Sequence, residues 1–173
     1  MKKPNNGSRI DPSCYIHPTA LVIGEVEIGP NCSLWPYSVI RGDEETIRIG
    51  RETNIQDSAV VHVDLEFPTS IGDQVTVGHG AIIHGSTIGN RCIIGIRSTV
   101  LDGCTVGDGC IIGAGAVLTP GTKVPKNSMV LGIPGTIKRN DPAFEMMALK
   151  NAQVYVELSR RYIDGQFVAR GIP

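Results

Sequence analysis

An aliphatic residue recurs at every sixth position through most of this 173-residue chain. The series runs Ile10, Ile16, Val22, Ile28, Leu34 and Ile40, then Ile49, Ile55 and Val61, then Ile71, Val77 and Ile83. It ends with Ile88, Ile94, Val100, Val106, Ile112, Leu118 and Val124. All nineteen hexads begin with Ile, Val or Leu, types that fill only 45 of the 173 positions, so chance does not produce the pattern. A six-residue period is neither the alternation of one flat strand nor the 3.6-residue period of a helix. It fits short strands with a bend every six residues, which among repeat folds is the parallel β-helix. Three six-residue sides make an 18-residue coil, so the expected fold is an all-β solenoid of about six coils stacked roughly 4.8 Å apart. Three residues are added between Ile40 and Ile49 and four between Val61 and Ile71, while the step from Ile83 to Ile88 is one short. Counting sides from Ile10, both additions follow the third side of a coil and predict loops leaving one corner.

Composition supports this frame and removes other classes. The chain has 21 Ile and 16 Val but only 8 Leu, which favours pleated backbone and excludes a helical bundle. A net charge of −1 gives no electrostatic case for nucleic acid or an anionic membrane surface. No apolar run approaches the ~20 residues of a membrane span. Met1 to Gly7 is not followed by the apolar run of a secretory leader, and five cysteines without a Cys-x-x-Cys pair suit reduced thiols. Both point to the cytoplasm. Cys14, Cys32, Cys92, Cys104 and Cys110 all hold the fifth hexad position, elsewhere filled by residues such as Ala20, Ser38, Ala59 and Ala116. They read as small packing residues rather than metal ligands. Residues 1–9 form a tail, 10–135 the repeat, and 136–173 a linker, a helix and a second tail. Asp141 and Pro142 suit the N-cap and first position of that helix. Phe144, Ala148, Asn151, Tyr155, Leu158 and Tyr162 share one of its faces, and it ends near Gly165. That face is expected to pack along the β-helix or against a neighbouring subunit.

The histidines follow a different logic. His62 and His84 are 22 residues apart, or one 18-residue coil once the four-residue addition is removed, and both hold the second hexad position. They are therefore expected to stack roughly 5 Å apart, with Arg41 in the same column one coil below. Two imidazoles so placed can share one tetrahedral ion with Zn–N near 2.0–2.1 Å. Asp57 and His79 form a second column on the preceding side, with Gln56 beside Asp57 and Asp43 two residues beyond Arg41. His79 cannot easily meet the pair within one chain, but a neighbouring copy could bring its own His79 there. An interface of that kind closes most simply as a C3 trimer with a three-histidine site and an open fourth position. His17, without a polar partner in its column, reads as structural.

These residues resemble a known family. The hexads are similar to the left-handed β-helix of hexapeptide-repeat proteins, and the left hand comes from that resemblance rather than from the spacing. Within that group, Arg41-Gly42-Asp43, Asn54-Ile55-Gln56-Asp57, His62 and Gly78-His79 with His84 resemble the gamma-class carbonic anhydrase pattern. The resemblance implies a homotrimer with metal ligands His62 and His84 from one chain and His79 from the next. It implies Zn²⁺, with Fe²⁺ or Co²⁺ accepted by the same ligands, and hydration of carbon dioxide to bicarbonate by a metal-bound hydroxide. Gln56 would hydrogen-bond that hydroxide and Asn54 would support the pocket. Arg41 and Asp43 would form an intersubunit ion pair, with Asp57 nearby, and Glu44 is the candidate proton carrier. A CoA-thioester hydrolase or acyltransferase on the same scaffold, or a non-catalytic assembly subunit, are the competing readings.

Overall fold

A computed structural model describes residues 7–167; the outer parts of both expected tails, 1–6 and 168–173, lie outside it. The hexads form a left-handed, all-β solenoid followed by one C-terminal helix. The first side, the helix side, carries seven parallel rungs, from Tyr15–Ile16 through Ser33–Leu34, Asn54–Ile55, Thr76–Val77, Ile93–Ile94 and Ile111–Ile112 to Ser128–Leu131. The second, or histidine, side carries Val60–His62, Ile82–His84, Thr99–Val100 and Val117–Leu118 above the first halves of Leu21–Ile28 and Val39–Ile49. The third side holds their second halves and the rungs from Thr69–Ile71 to Lys123–Val124. The coils number about seven rather than the expected six. Val130, six residues past Val124, begins one further rung before Thr136–Asn140 turns back antiparallel and covers the sheet edge.

From Ile28 onward the hexad leaders line the interior, whereas Ile16 in the first coil is 39% exposed. Leu34, Ile40, Ile55, Val61, Val77, Ile83, Ile94, Val100, Ile112 and Leu118 have no exposed surface. The fifth positions fill the corners: Cys32, Cys92, Cys104 and Cys110 are buried, Cys14 is partly so, and all five are free thiols. Corners are turned at the fourth position, where Asn31, Tyr37, Glu52, Ser58, Gln74, Arg91, Arg97 and Asn127 adopt positive φ without being glycine. That conformation costs an L-residue of order 1–3 kcal/mol and persists where surrounding structure holds it. Each such residue also donates its N–H to a carbonyl of the neighbouring coil or to a side chain there, as Gln74 does to the Arg51 carbonyl at 2.8 Å. Truncating an interior leader leaves a cavity that stacked rungs cannot collapse. Ile55→Ala is therefore expected to cost about 2–5 kcal/mol in urea unfolding.

The two insertions differ. Residues 40–49 form no loop, because Val39–Ile49 is one eleven-residue strand that continues around the corner. Its partner Leu21–Ile28 absorbs the mismatch in a register shift between Gly24 and Val26. Close approach of two glycines permits this: a Cβ on Gly24 (φ +83°) would lie 2.1 Å from the Gly42 carbonyl oxygen. The second insertion does leave the corner, as a short loop pinned by an antiparallel bridge between Asp64 and Phe67.

Helix α1 spans Ala143–Ile163. Its cap residue is Pro142, one place later than expected, yet the Asp141 carboxylate still accepts the Ala143 N–H at 2.9 Å. The helix lies on its own chain's helix side, burying Phe144, Ala148, Ala152 and Ser159. Tyr155 and Tyr162 meet Trp35 edge-on, with ring centroids 5.6 and 5.1 Å apart. Arg91 and Glu145 pair at 2.6 Å across the same junction. Among the described residues no helix is long and apolar enough to cross a membrane.

Candidate metal centre

Parallel pairing sets His84 directly opposite His62, and His62 opposite Arg41. Each imidazole points outward because its neighbour in the strand, Ile83 or Val61, occupies the interior. Nδ1 of His62 faces Nε2 of His84 at 3.1 Å, with ring centroids 5.0 Å apart. Two nitrogens bound to one tetrahedral ion at 2.0–2.1 Å would lie about 3.3 Å apart, so the spacing suits a shared cation.

The outer nitrogens meet carboxylates. Nε2 of His62 lies 3.1 Å from Asp43 Oδ1, and Nδ1 of His84 lies 2.5 Å from Asp102 Oδ1. A neutral imidazole has one N–H, and a carboxylate beside one nitrogen draws that proton to it. Both facing nitrogens then present lone pairs to each other, an arrangement that repels unless a cation lies between them. Arg41 pairs with Asp43 at 2.5 Å within the same chain, two residues apart on one strand face. That guanidinium and, after it, the His62 ring hold the Asp43 carboxyl below the usual carboxylate range.

His79 stands apart on the helix side, with its side chain 47% exposed and Nδ1 2.8 Å from Asp57 Oδ2. Among the described residues, no three His, Cys, Asp or Glu side chains of one chain gather around a common metal position. All three candidate ligands nevertheless carry a carboxylate on one ring nitrogen, the usual support of a metal-binding histidine. His17 differs: it is buried and its Nδ1 is bonded to Thr19.

Gln56 is buried next to His79, and its Oε1 accepts the His79 backbone N–H at 3.1 Å. Its Nε2 donates to Asn54 Oδ1 at 3.1 Å. Asn54 Nδ2 in turn donates to Thr76 Oγ1 at 2.9 Å, and Thr76 donates to Asn151 Oδ1 of α1 at 2.8 Å. The polar interruption in the helix face is thus the end of a hydrogen-bonded chain that fixes which way the Gln56 amide points. Glu44 follows Asp43 along the long strand and is exposed. Sequence reasoning missed Asp102 and the contact between Thr76 and Asn151. Asp102 had a signal, since it lies 18 residues after His84, but the short hexad between Ile83 and Ile88 puts Leu101 in the column slot.

Residues 7–42 and 85–120 match the family described as "Bacterial transferase hexapeptide (six repeats)". A Methanocaldococcus jannaschii protein named "Probable carbonic anhydrase" is 50% identical over 81% of this chain and 89% of its own length. "Gamma carbonic anhydrase 2, mitochondrial" of Arabidopsis thaliana is 36% identical over 87% of this chain, which spans only 57% of that longer relative. The crystal structure of a hexapeptide transferase family protein from Anaplasma phagocytophilum superposes with a TM-score of 0.85 at 37% identity, covering 90% of this chain and 92% of the other. With the hexad solenoid and the carboxylate-backed histidines, these likenesses show that the chain belongs to the gamma carbonic anhydrase family of hexapeptide-repeat proteins.

Proposed function

We propose that this protein interconverts carbon dioxide and bicarbonate at a divalent metal ion held by His62 and His84 of one subunit and His79 of its neighbour, in a cytoplasmic homotrimer. The observation that carries the reading is the pair of imidazole nitrogens facing each other at 3.1 Å with carboxylates behind both rings. Neutral imidazoles suit Zn²⁺, Fe²⁺ or Co²⁺. Bound there, such an ion supplies Lewis acidity that brings the pKa of a water toward ~7, making hydroxide available at neutral pH. The assembly is supported by apolar residues left bare in the histidine columns. Ile96, one coil above His79, is 51% exposed, and Ile23, below Arg41, is 44% exposed. Apolar surface beside candidate ligands suits cover by a second copy.

The chain's own residues divide the remaining work. Asp43 and Asp57 hold the His62 and His79 imidazoles in fixed tautomers. Gln56, with Oε1 and one N–H committed, has its second N–H left to hydrogen-bond the oxygen that attacks carbon dioxide. Hydration joins water and carbon dioxide into bicarbonate and releases one proton, and the exposed Glu44 carries it to buffer.

Stopped-flow hydration assays with metal analysis of the purified protein test this reading. It expects one metal ion per subunit and hydration that is lost when a chelator strips the metal. Metal-free protein after preparation with zinc or iron under anaerobic conditions would end it. The likeness to the Anaplasma transferase-family structure favours a second reading, a reaction on CoA thioesters. Thioester turnover without hydration would select it.

A further inference from the structure

We infer that Asp102 is a positioning residue that fixes the tautomer and aim of His84, an inference that rests on the metal reading above for its consequence. Asp102 comes from the next coil and reaches back to His84 Nδ1 at 2.5 Å, with each side chain only 28% exposed. Local backbone is shaped around this reach. The shortened hexad puts Gly85 (φ +50°) beside the carboxylate, where a Cβ would come within 2.4 Å of Asp102 Oδ1 and 2.7 Å of Phe67 Cβ. Phe67 belongs to the loop that follows His62; its Cβ lies beside Gly85 and its ring edge beside Gly103. The Phe67 side chain thus borders the Gly85 turn on which the Asp102 carboxylate also closes.

A charge-assisted N–H···O⁻ bond beside an apolar flank is stronger than the same bond in open water. It keeps the His84 proton on Nδ1 and its lone pair on Nε2, the nitrogen that faces His62. Asp102 does this without touching metal or substrate. Its effect belongs in metal affinity and ring tautomer, not in a chemical step of its own. Outer carboxylates of this kind typically contribute about 10–100-fold to metal affinity.

The decisive measurement is ¹⁵N NMR of ring-labelled histidines in the metal-free protein. His84 is expected to be protonated on Nδ1 in the wild type and to lose that preference in Asp102→Asn, whose amide can donate as well as accept. In parallel, the Kd for Zn²⁺ by chelator competition should rise about 10–100-fold in Asp102→Asn. Gly85→Ala, which displaces the carboxylate while leaving it present, should shift both readouts in the same direction. A wild-type His84 protonated on Nε2 overturns the inference, as does a Zn²⁺ affinity in Asp102→Asn within about two-fold of wild type. If the wild type binds no metal, the proposed function falls, and the tautomer of His84 still decides the role of Asp102.

Discussion

His84→Ala is expected to give a folded protein that retains no stoichiometric metal and hydrates carbon dioxide more than about 100-fold more slowly, since even outer-shell partners of a metal site are worth 10–100-fold. The fold should survive because His84 is partly exposed, whereas its neighbour Ile83 is fully buried and keeps the rung. Removing the ring leaves His62 with no facing nitrogen, so the arrangement of two lone pairs at 3.1 Å disappears with it. The neighbour's His79 cannot replace it. The control is His17→Ala, which removes a buried ring bonded to Thr19 and should lower thermal stability without changing metal content. Metal analysis, thermal unfolding and stopped-flow hydration on both variants separate the two roles. Metal content and turnover in His84→Ala equal to wild type would remove His84 from the ligand set.

Much of the fold was legible because a solenoid repeats one local solution. A leader such as Ile55 and a corner filler such as Cys92 meet the same environment in every coil past the first, so position in the hexad predicts burial there. The left-handed corner residues were less legible. Glu52 and Arg91 are not residue types that announce positive φ, and the hydrogen bonds of neighbouring coils hold them there. The insertion after Ile40 misled for a related reason. Three extra residues usually form a loop, but here the mutual approach of Gly24 and Gly42 lets two strands bend together. At the site, a fixed spacing revealed the stacking of His62 and His84, since parallel register converts one coil of sequence into one rung of height. Asp102 escaped because a one-residue deletion moved it out of the column. The chain from Gln56 to Asn151 escaped because α1 returns to the first side only after the whole solenoid is built.

The separation of His79 from the histidine pair leads to the second large effect. Protein carrying only His79→Ala and protein carrying only His84→Ala should each be inactive, yet a mixture reassembled into mixed trimers should recover hydration. In the proposed C3 ring each site would draw its pair from one subunit and its third histidine from the next. A site is whole where a His79→Ala subunit offers its intact His62 and His84 to a neighbour carrying His84→Ala, whose own His79 is intact. Random mixing of equal amounts makes this combination at one interface in four overall, and at one in three of the mixed trimers once homotrimers are removed, so activity and metal content of the doubly purified trimers should return to about a third of wild type. Co-expression with distinguishable tags, purification through both tags and mass analysis of the intact trimers would establish that mixing occurred. The double variant His79→Ala/His84→Ala, mixed in the same way with itself, should recover nothing. Verified mixed trimers without activity or metal would mean that the three histidines do not form one site across an interface. His79 would then be left as a surface residue paired with Asp57, and His62 with His84 would have to recruit a different third group.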